Sequence, residues 1–215
     1  MSTSLQTQLE LGCAALGLEP TAYQSEQLLA YLDLMLKWNS AYNLTAVRAP
    51  AQMVTRHLLD SLALAPHIRG ERLIDVGTGA GLPGIPLAIL FPERRFSLLD
   101  SNGKKTRFLF QVKTALRLDS MLIHHTRVES FQPPELYDAV LSRAFASLAD
   151  MVAGCRHLLA PSGCFLAMKG TYPTRELAAL EPECRVGEVR ALAIPGLDEE
   201  RHLVEMTIQH TGVAA

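Results

Sequence analysis

The residues best placed to do chemistry lie in one stretch, residues 73–84, which read LIDVGTGAGLPG. Gly77, Gly79 and Gly81 directly follow a short apolar run. Glycines there let the backbone turn sharply and approach a ligand closely, while the helix that follows aims its N-terminus at it. Two ligand classes compete for such a loop. A dinucleotide needs the frame GxGxxG, which Gly79, Gly81 and Gly84 nominally supply. That frame begins four residues past Asp75 and contains Pro83. The other frame reads apolar-Asp-apolar-Gly-x-Gly-x-Gly, with Asp75 at the strand end.

A second candidate set is basic. Lys104, Lys105, Arg107, Lys113 and Arg117 fall between Ser101 and Leu118 with no acid among them. Lys104 and Lys105 follow Ser101-Asn102-Gly103 at a helix start, where the dipole disfavours cations. Something other than helix stability recommends them: phosphate contact is one reading, a solvated face the other. Arg143, Lys169 and the pair Arg201-His202 sit at strand ends or hairpin turns. Ligands of open α/β sheets bind at the carboxyl ends of strands, so Arg143 and Lys169 are expected to face one crevice.

The second glycine frame, with a further acid, Asp100, ending the next strand, resembles the Rossmann-like S-adenosylmethionine methyltransferases. The resemblance implies a ligand without pyrophosphate, for which the loop makes room for a sulfonium and an amino-acid moiety. Asp100 would accept hydrogen bonds from two ribose hydroxyls, as acids do in dinucleotide folds. Asp75 would add negative charge near a cationic ligand. The alternative for both acids is an ordinary strand end.

Some methyl acceptors can be argued down. Methylation of an exocyclic amine usually uses a polar residue, two prolines and an aromatic after the fourth strand, where this chain reads Ser142-Arg143-Ala144-Phe145. Attack at a pyrimidine carbon needs a thiolate, and none of Cys13, Cys155, Cys164 and Cys184 has suitable surroundings. An acceptor that is already nucleophilic remains, so no residue is assigned as general base. Arg143 and Lys169 are left as positioning candidates.

These residues need a scaffold, and the pattern along the chain supplies one. Residues 1–70 read as helical. Leu28, Leu29, Leu32, Met35 and Leu36 form one apolar stripe over residues 25–38, with Thr21 or Ser25 as cap. A second helix is expected over 49–64, with Met53, His57, Leu58 and Leu62 facing inward and Arg56 free to pair with Asp60. From residue 72 strands alternate with helices. Strands are expected at 72–76, 96–99, 121–125, 137–142 and 164–169, and helices at 87–91, 104–118 and 147–159. Such alternation indicates a parallel doubly wound sheet. Strands at 188–194 and 202–209 complete it as a hairpin. The expected fold is therefore α/β: a Rossmann-like, mostly parallel doubly wound sheet with a C-terminal antiparallel hairpin and an N-terminal helical extension. Residues 1–70 form the extension and 71–215 the methyltransferase domain, one compact unit.

Composition sets the outer limits. With 215 residues, 48% hydrophobic and 20% charged, the chain can bury a substantial core, and disorder is excluded. Twenty Lys+Arg against 22 Asp+Glu leave a net charge of −2, which argues against indiscriminate nucleic-acid binding but not against a local basic patch. There is no basic n-region at the start, and the longest apolar run, around 84–91, is far short of a membrane span. The cysteines show no paired spacing, and His124 and His125, adjacent on a strand, point to opposite faces. A cytoplasmic monomer with reduced thiols, no metal and no membrane partner is expected.

Six ordered motifs carry a closer resemblance. They are WNSAYNLT from Trp38, RHLLDSL from Arg56, DVGTGAGLPGIPL from Asp75, LLDSNGKKTRFL from Leu98, SRAFASL from Ser142 and ERHLV from Glu200. Together they resemble the bacterial ribosomal RNA small subunit methyltransferase G family, historically glucose-inhibited division protein B, over residues 20–208. Ala80 stands where many members carry proline. The resemblance implies S-adenosylmethionine-dependent methylation of N7 of a guanine in 16S (small-subunit) ribosomal RNA, with the rRNA or 30S particle as partner. By position it implies cofactor contacts from Gly77, Leu82, Asp100, Val128, Glu129 and Arg143, to which the loop reading adds Asp75 and Gly79. Lys104, Lys105, Arg107, Lys169, Arg201 and His202 are the RNA-binding candidates. Guanine N7 is an unprotonated lone pair, so in-line positioning is the main demand. A guanidinium could orient O6 but would block attack if pressed on N7. Because N7 lies in the deep groove of A-form RNA, the target should be an exposed or locally opened nucleotide. The competing readings are a small-molecule or protein methyltransferase and a non-enzymatic cofactor sensor.

Overall fold

Leu28, Tyr31, Leu32 and Met35 recur at helical spacing and form the buried stripe of α2, Ala22–Tyr42. The computed structural model describes residues 2–209; residues 1 and 210–215, the outer ends of the two expected segments, lie outside them. Helix α1, Ser2–Ala15, precedes α2. Of the two candidate caps, Thr21 is the one used: its hydroxyl accepts from Gln24 N (3.2 Å) and the Gln24 side chain accepts from Thr21 N (2.9 Å). Thr21→Ala should therefore cost about 1 kcal/mol and lower the melting temperature by about 2–4 °C in a thermal scan.

The helix expected over 49–64 is composite: α3 (Pro50–Met53), a π-helical turn (Val54–Leu59) and α4 (Asp60–Leu62). The expected Arg56–Asp60 pair does not form. Each of the two residues has a partner elsewhere in the chain instead. Arg56 pairs with Glu199, and Asp60 turns inward to Arg143 and Arg201.

The sheet has seven strands: β1 (Arg72–Val76), β2 (Arg95–Asp100), β3 (Met121–His125), β4 (Tyr137–Ser142), β5 (Leu159–Lys169), β6 (Cys184–Ala191) and β7 (His202–Ile208). Between them run α5 (Gly84–Leu90), α6 (Gly103–Leu116), α7 (Leu148–Cys155) and α8 (Thr174–Ala178). The order is β3-β2-β1-β4-β5-β7-β6, parallel except at β7, which runs antiparallel to both neighbours. The expected doubly wound sheet with its terminal hairpin is what forms.

Several boundaries differ from expectation, α5 beginning at Gly84 rather than 87 among them. β5 starts at Leu159 rather than 164, because the expected turn at 161–163 is absorbed as an irregularity against β4 between Tyr137 and Ala139. β6 lies earlier than expected, its alternation broken by a register shift between Val186 and Val189. α7 closes at Cys155 into a 3-10 turn, Arg156–Leu158.

Alternation along β1 sorts its side chains into two cores. Ile74 and Val76 pack with Leu148, Met151, Phe165 and Met206 on the α7 face. Leu73 packs on the other face with Leu98, Phe108 and, from the N-terminal helices, Leu9, Leu28, Tyr31 and Met35. The expected extension and domain thus share the core on that face. No described helix is long and apolar enough to cross a membrane.

Candidate active site

The strand order reverses between β1 and β4, and such a switch point opens a crevice at the strand ends. Ser142 ties the two ends together, its hydroxyl donating to Val76 O (2.8 Å) and accepting from Ala144 N (3.0 Å). Three cavities meet along this crevice.

The first, about 230 Å³, is lined by Gly77, Asp100, Val128, Glu129, Ala144 and Phe145 among others. Asp100 ends β2; its Oδ2 accepts from Gly79 N (2.9 Å) and its Oδ1 from Asn102 N (2.8 Å). A carboxylate has about four lone-pair sites, so two remain for a pair of ribose hydroxyls. Gly77 holds φ +67°, and a Cβ there would stand 3.0 Å from the Ala144 Cβ, inside the passage. Acid, bare backbone and the apolar Val128 and Phe145 walls fit the adenosine part of S-adenosylmethionine.

The second cavity, lined by Thr45, His57, Gly77, Gly79, Leu82 and Arg143 among others, continues from the first through Gly77 and Ala144. The third, about 420 Å³, continues from the second through His57 and Arg143 and is lined by Arg56, Asp60, Lys169 and Arg201. A nucleoside pocket, a glycine loop and a basic cavity therefore form one groove.

Asp75 requires correction. It has no exposed surface, because it alternates with Leu73 onto the α5 side of the sheet. Its Oδ2 accepts from Thr78 Oγ1 (2.6 Å) and Gly84 N (2.8 Å), while Oδ1 has no hydrogen-bond partner. It braces the loop from below and cannot touch a ligand directly. Nor is it a fixed negative charge, since burial raises its pKa to about 7 against the pull of those hydrogen bonds. A folded pKa above the unfolded value of 3.8 means that the native state binds the extra proton between these values. The Asp75 contribution to stability is therefore present at low pH, falls as pH rises from about 4 to about 7, and then levels off. Chemical denaturation across this range should show a slope in wild type that Asp75→Asn flattens; equal slopes would refute the assignment.

The expected convergence of Arg143 and Lys169 is met, and Arg201 joins them. Each is held by an acid. Asp60, its side chain only 3% exposed, accepts from Arg143 Nη1 (2.7 Å) and Arg201 Nε (2.9 Å), and Lys169 Nζ lies 2.7 Å from Glu176 Oε2. Lys105 reaches back to within 4.0 Å of Asp100, whereas Lys104 and Arg107 are exposed on α6 and line none of the three cavities. The Asn102 side chain caps α6 by accepting from Lys104 N and Lys105 N, which offsets the unfavourable lysines at its start. His202 contacts Gly170 O (3.3 Å) and the edge of Tyr172 and lies outside the lining of the basic cavity.

Nothing in the groove offers a thiolate. Burial pushes the thiol of Cys155 up to about 12 and those of Cys13 and Cys164 up to about 11. His57 is nearly fully buried, with Nε2 bonded to Thr45 Oγ1 (2.9 Å), and burial lowers its pKa, so it is neutral near pH 7. Among the described residues no group of acids, His and Cys could hold a metal.

Comparison with known proteins bears on this groove. The family model for GidB, rRNA small subunit methyltransferase G, matches residues 24–204. The chain belongs to the rRNA small subunit methyltransferase G family. A relative of that name from Cellvibrio japonicus is 54% identical over 209 residues, covering 95% of each chain. Another from Pseudomonas syringae pv. syringae is 53% identical over 197 residues, covering 92% of each. Among solved structures, the glycopeptide N-methyltransferase MtfA complexed with S-adenosylmethionine aligns with TM-score 0.58 at 13% identity, over 72% of this chain and 88% of that one. That likeness is one of fold.

Within the methyltransferase G family motifs quoted from the sequence lie residues whose role the sequence did not reveal. Thr45 and His57 wall the middle cavity, Arg56 and Asp60 the basic one, and Ala144 and Phe145 the first. The motifs around Trp38 and Arg56 were a signal, but only the fold shows that they face the groove.

Proposed function

We propose that this chain transfers a methyl group from S-adenosylmethionine to N7 of a guanine in small-subunit rRNA, as naked RNA or a 30S particle, acting as a cytoplasmic monomer. In this reading residues 1–70 are a helical extension of the methyltransferase domain 71–215. Family membership supports the rRNA substrate, and the continuous groove from nucleoside pocket to basic cavity carries the reading.

Asp100 holds the ribose, with Gly77, Gly79 and Leu82 along the loop and Val128 and Glu129 beside the base. When bound, S-adenosylmethionine supplies an electrophilic methyl on sulfur. The guanine N7 lone pair forms the new N–C bond as the S–C bond breaks; no proton is released, and the purine becomes cationic. The groove matches this, with no thiolate and with His57 held neutral. Arg143, fixed through Nη1 to Asp60, keeps its other donors for O6, and orientation supplies the rate. Lys104, Lys105 and Arg107 extend the positive surface along α6 for the RNA backbone.

Incubation with methyl-labelled cofactor and undermethylated small-subunit rRNA or 30S particles should place label on guanine, at sites sensitive to borohydride and aniline. Absence of label from both RNA substrates overturns the proposal.

A further inference from the structure

Arg56 and Glu199 form a fork-to-fork pair at the mouth of the basic cavity. Arg56 Nη1 lies 2.9 Å from Glu199 Oε2, and Nη2 lies 2.6 Å from Oε1. Arg201 Nη2 approaches the same carboxylate at 3.4 Å. Two guanidinium groups from distant parts of the chain thus converge on one anion. This is the geometry in which arginines hold a phosphate as readily as a carboxylate.

We propose that Arg56 and Arg201 form a binding site for one backbone phosphate of the RNA substrate, with Glu199 occupying it until RNA arrives. The inference rests on the proposed RNA methylation and deepens it. Three features separate such a place-holder from a strap that merely closes the chain. First, the Arg201 half of the site is held independently of Glu199. Arg201 is anchored from behind through Nε to the buried Asp60, and its Nη1 donates to Glu200 O (2.8 Å). Second, the connection carrying Glu199 is seated by other contacts. Ile194 is buried, Leu192 N donates to Arg201 O (2.7 Å), and a Cβ on Gly196 would lie only 3.5 Å from the Thr55 hydroxyl. Third, the Glu199 side chain is 48% exposed and can swing into solvent, while Arg56 and Arg201 both line the cavity that ends at Arg143. A phosphate there would sit in the same cavity as the base to be methylated.

The test compares wild type, Glu199→Gln, Arg56→Ala and the double variant for binding of small-subunit rRNA across a salt series, with cofactor affinity, thermal melting and label transfer measured in parallel. Glu199→Gln should bind RNA about two- to tenfold more tightly, with cofactor affinity unchanged. Arg56→Ala should bind more weakly, with a salt slope shallower by about 1. In the Arg56→Ala background the gain from Glu199→Gln should shrink by more than half. An equal gain in both backgrounds would mean that any lost negative charge helps, and overturns the inference. A Glu199→Gln protein that melts lower but binds RNA no tighter also overturns it. Wild-type protein that labels no rRNA overturns the functional reading itself, whereas labelling without these binding effects overturns only the phosphate site.

Discussion

Replacing Gly77 with aspartate should abolish cofactor binding, with affinity falling on the order of 100-fold or more in titration calorimetry. Three physical costs arise at this position, the first falling on stability and the other two on binding. The backbone is left-handed at φ +67°, a conformation that costs an L residue about 1–2 kcal/mol. The new Cβ would stand 3.0 Å from the Ala144 Cβ, narrowing the passage between the first two cavities. The added carboxylate would enter the cavity that Asp100 already lines, placing like charges where the ribose belongs. Gly77→Ala separates these effects, since it keeps the strain and the Cβ contact but adds no charge; it should lose about 1–2 kcal/mol of stability to the strain and less cofactor affinity than Gly77→Asp. Unchanged cofactor affinity in Gly77→Asp would remove the loop from the binding site.

Asp60→Ala should injure both stability and methyl transfer. Removing one partner of a buried ion pair costs about 3–5 kcal/mol when the remaining charge is stranded. Here Arg143 and Arg201 keep 28% and 21% side-chain exposure, so water recovers part of that. About 2–3 kcal/mol remains, or a melting temperature lower by about 4–12 °C. The rate of transfer at saturating cofactor should fall about 100-fold, because Arg143, which we propose orients the acceptor, loses the contact that fixes it. Asp60→Asn should fall between, keeping one acceptor oxygen without the charge. A variant with wild-type melting and wild-type single-turnover rate would show that Asp60 positions nothing.

Asp60 also marks where sequence reasoning stopped. Strands β1, β3 and β4 lie where the apolar runs put them, because short apolar runs flanked by turn residues have one way to be buried in a parallel sheet. That Asp100, Gly77 and Arg143 line the crevice was legible for a related reason, since strand ends in this topology face it. Asp75 misled because it lies one residue from a strand end; counting in twos from Leu73 would have turned it away from the crevice. The partners of Asp60 could not be read at all. They are Arg143, just past the end of β4, and Arg201, just before β7, 83 and 141 residues away in sequence. The edges of β5 and β6 were misplaced because bulges break the alternation by which strands are recognised.

The Tyr31 hydroxyl donates to Ala80 O at 2.8 Å, joining the middle of α2 to the glycine loop in a fully buried contact. That bond, added to the core the two share, couples the N-terminal helices to the ligand loop. Whatever rigidity the cofactor lends to the loop is felt by α2, and by reciprocity any event that loosens α2 weakens the hold on the cofactor by the same factor. The N-terminal segment, which also supplies Thr45 and His57 to the middle cavity, is thereby tied to the pocket from two sides.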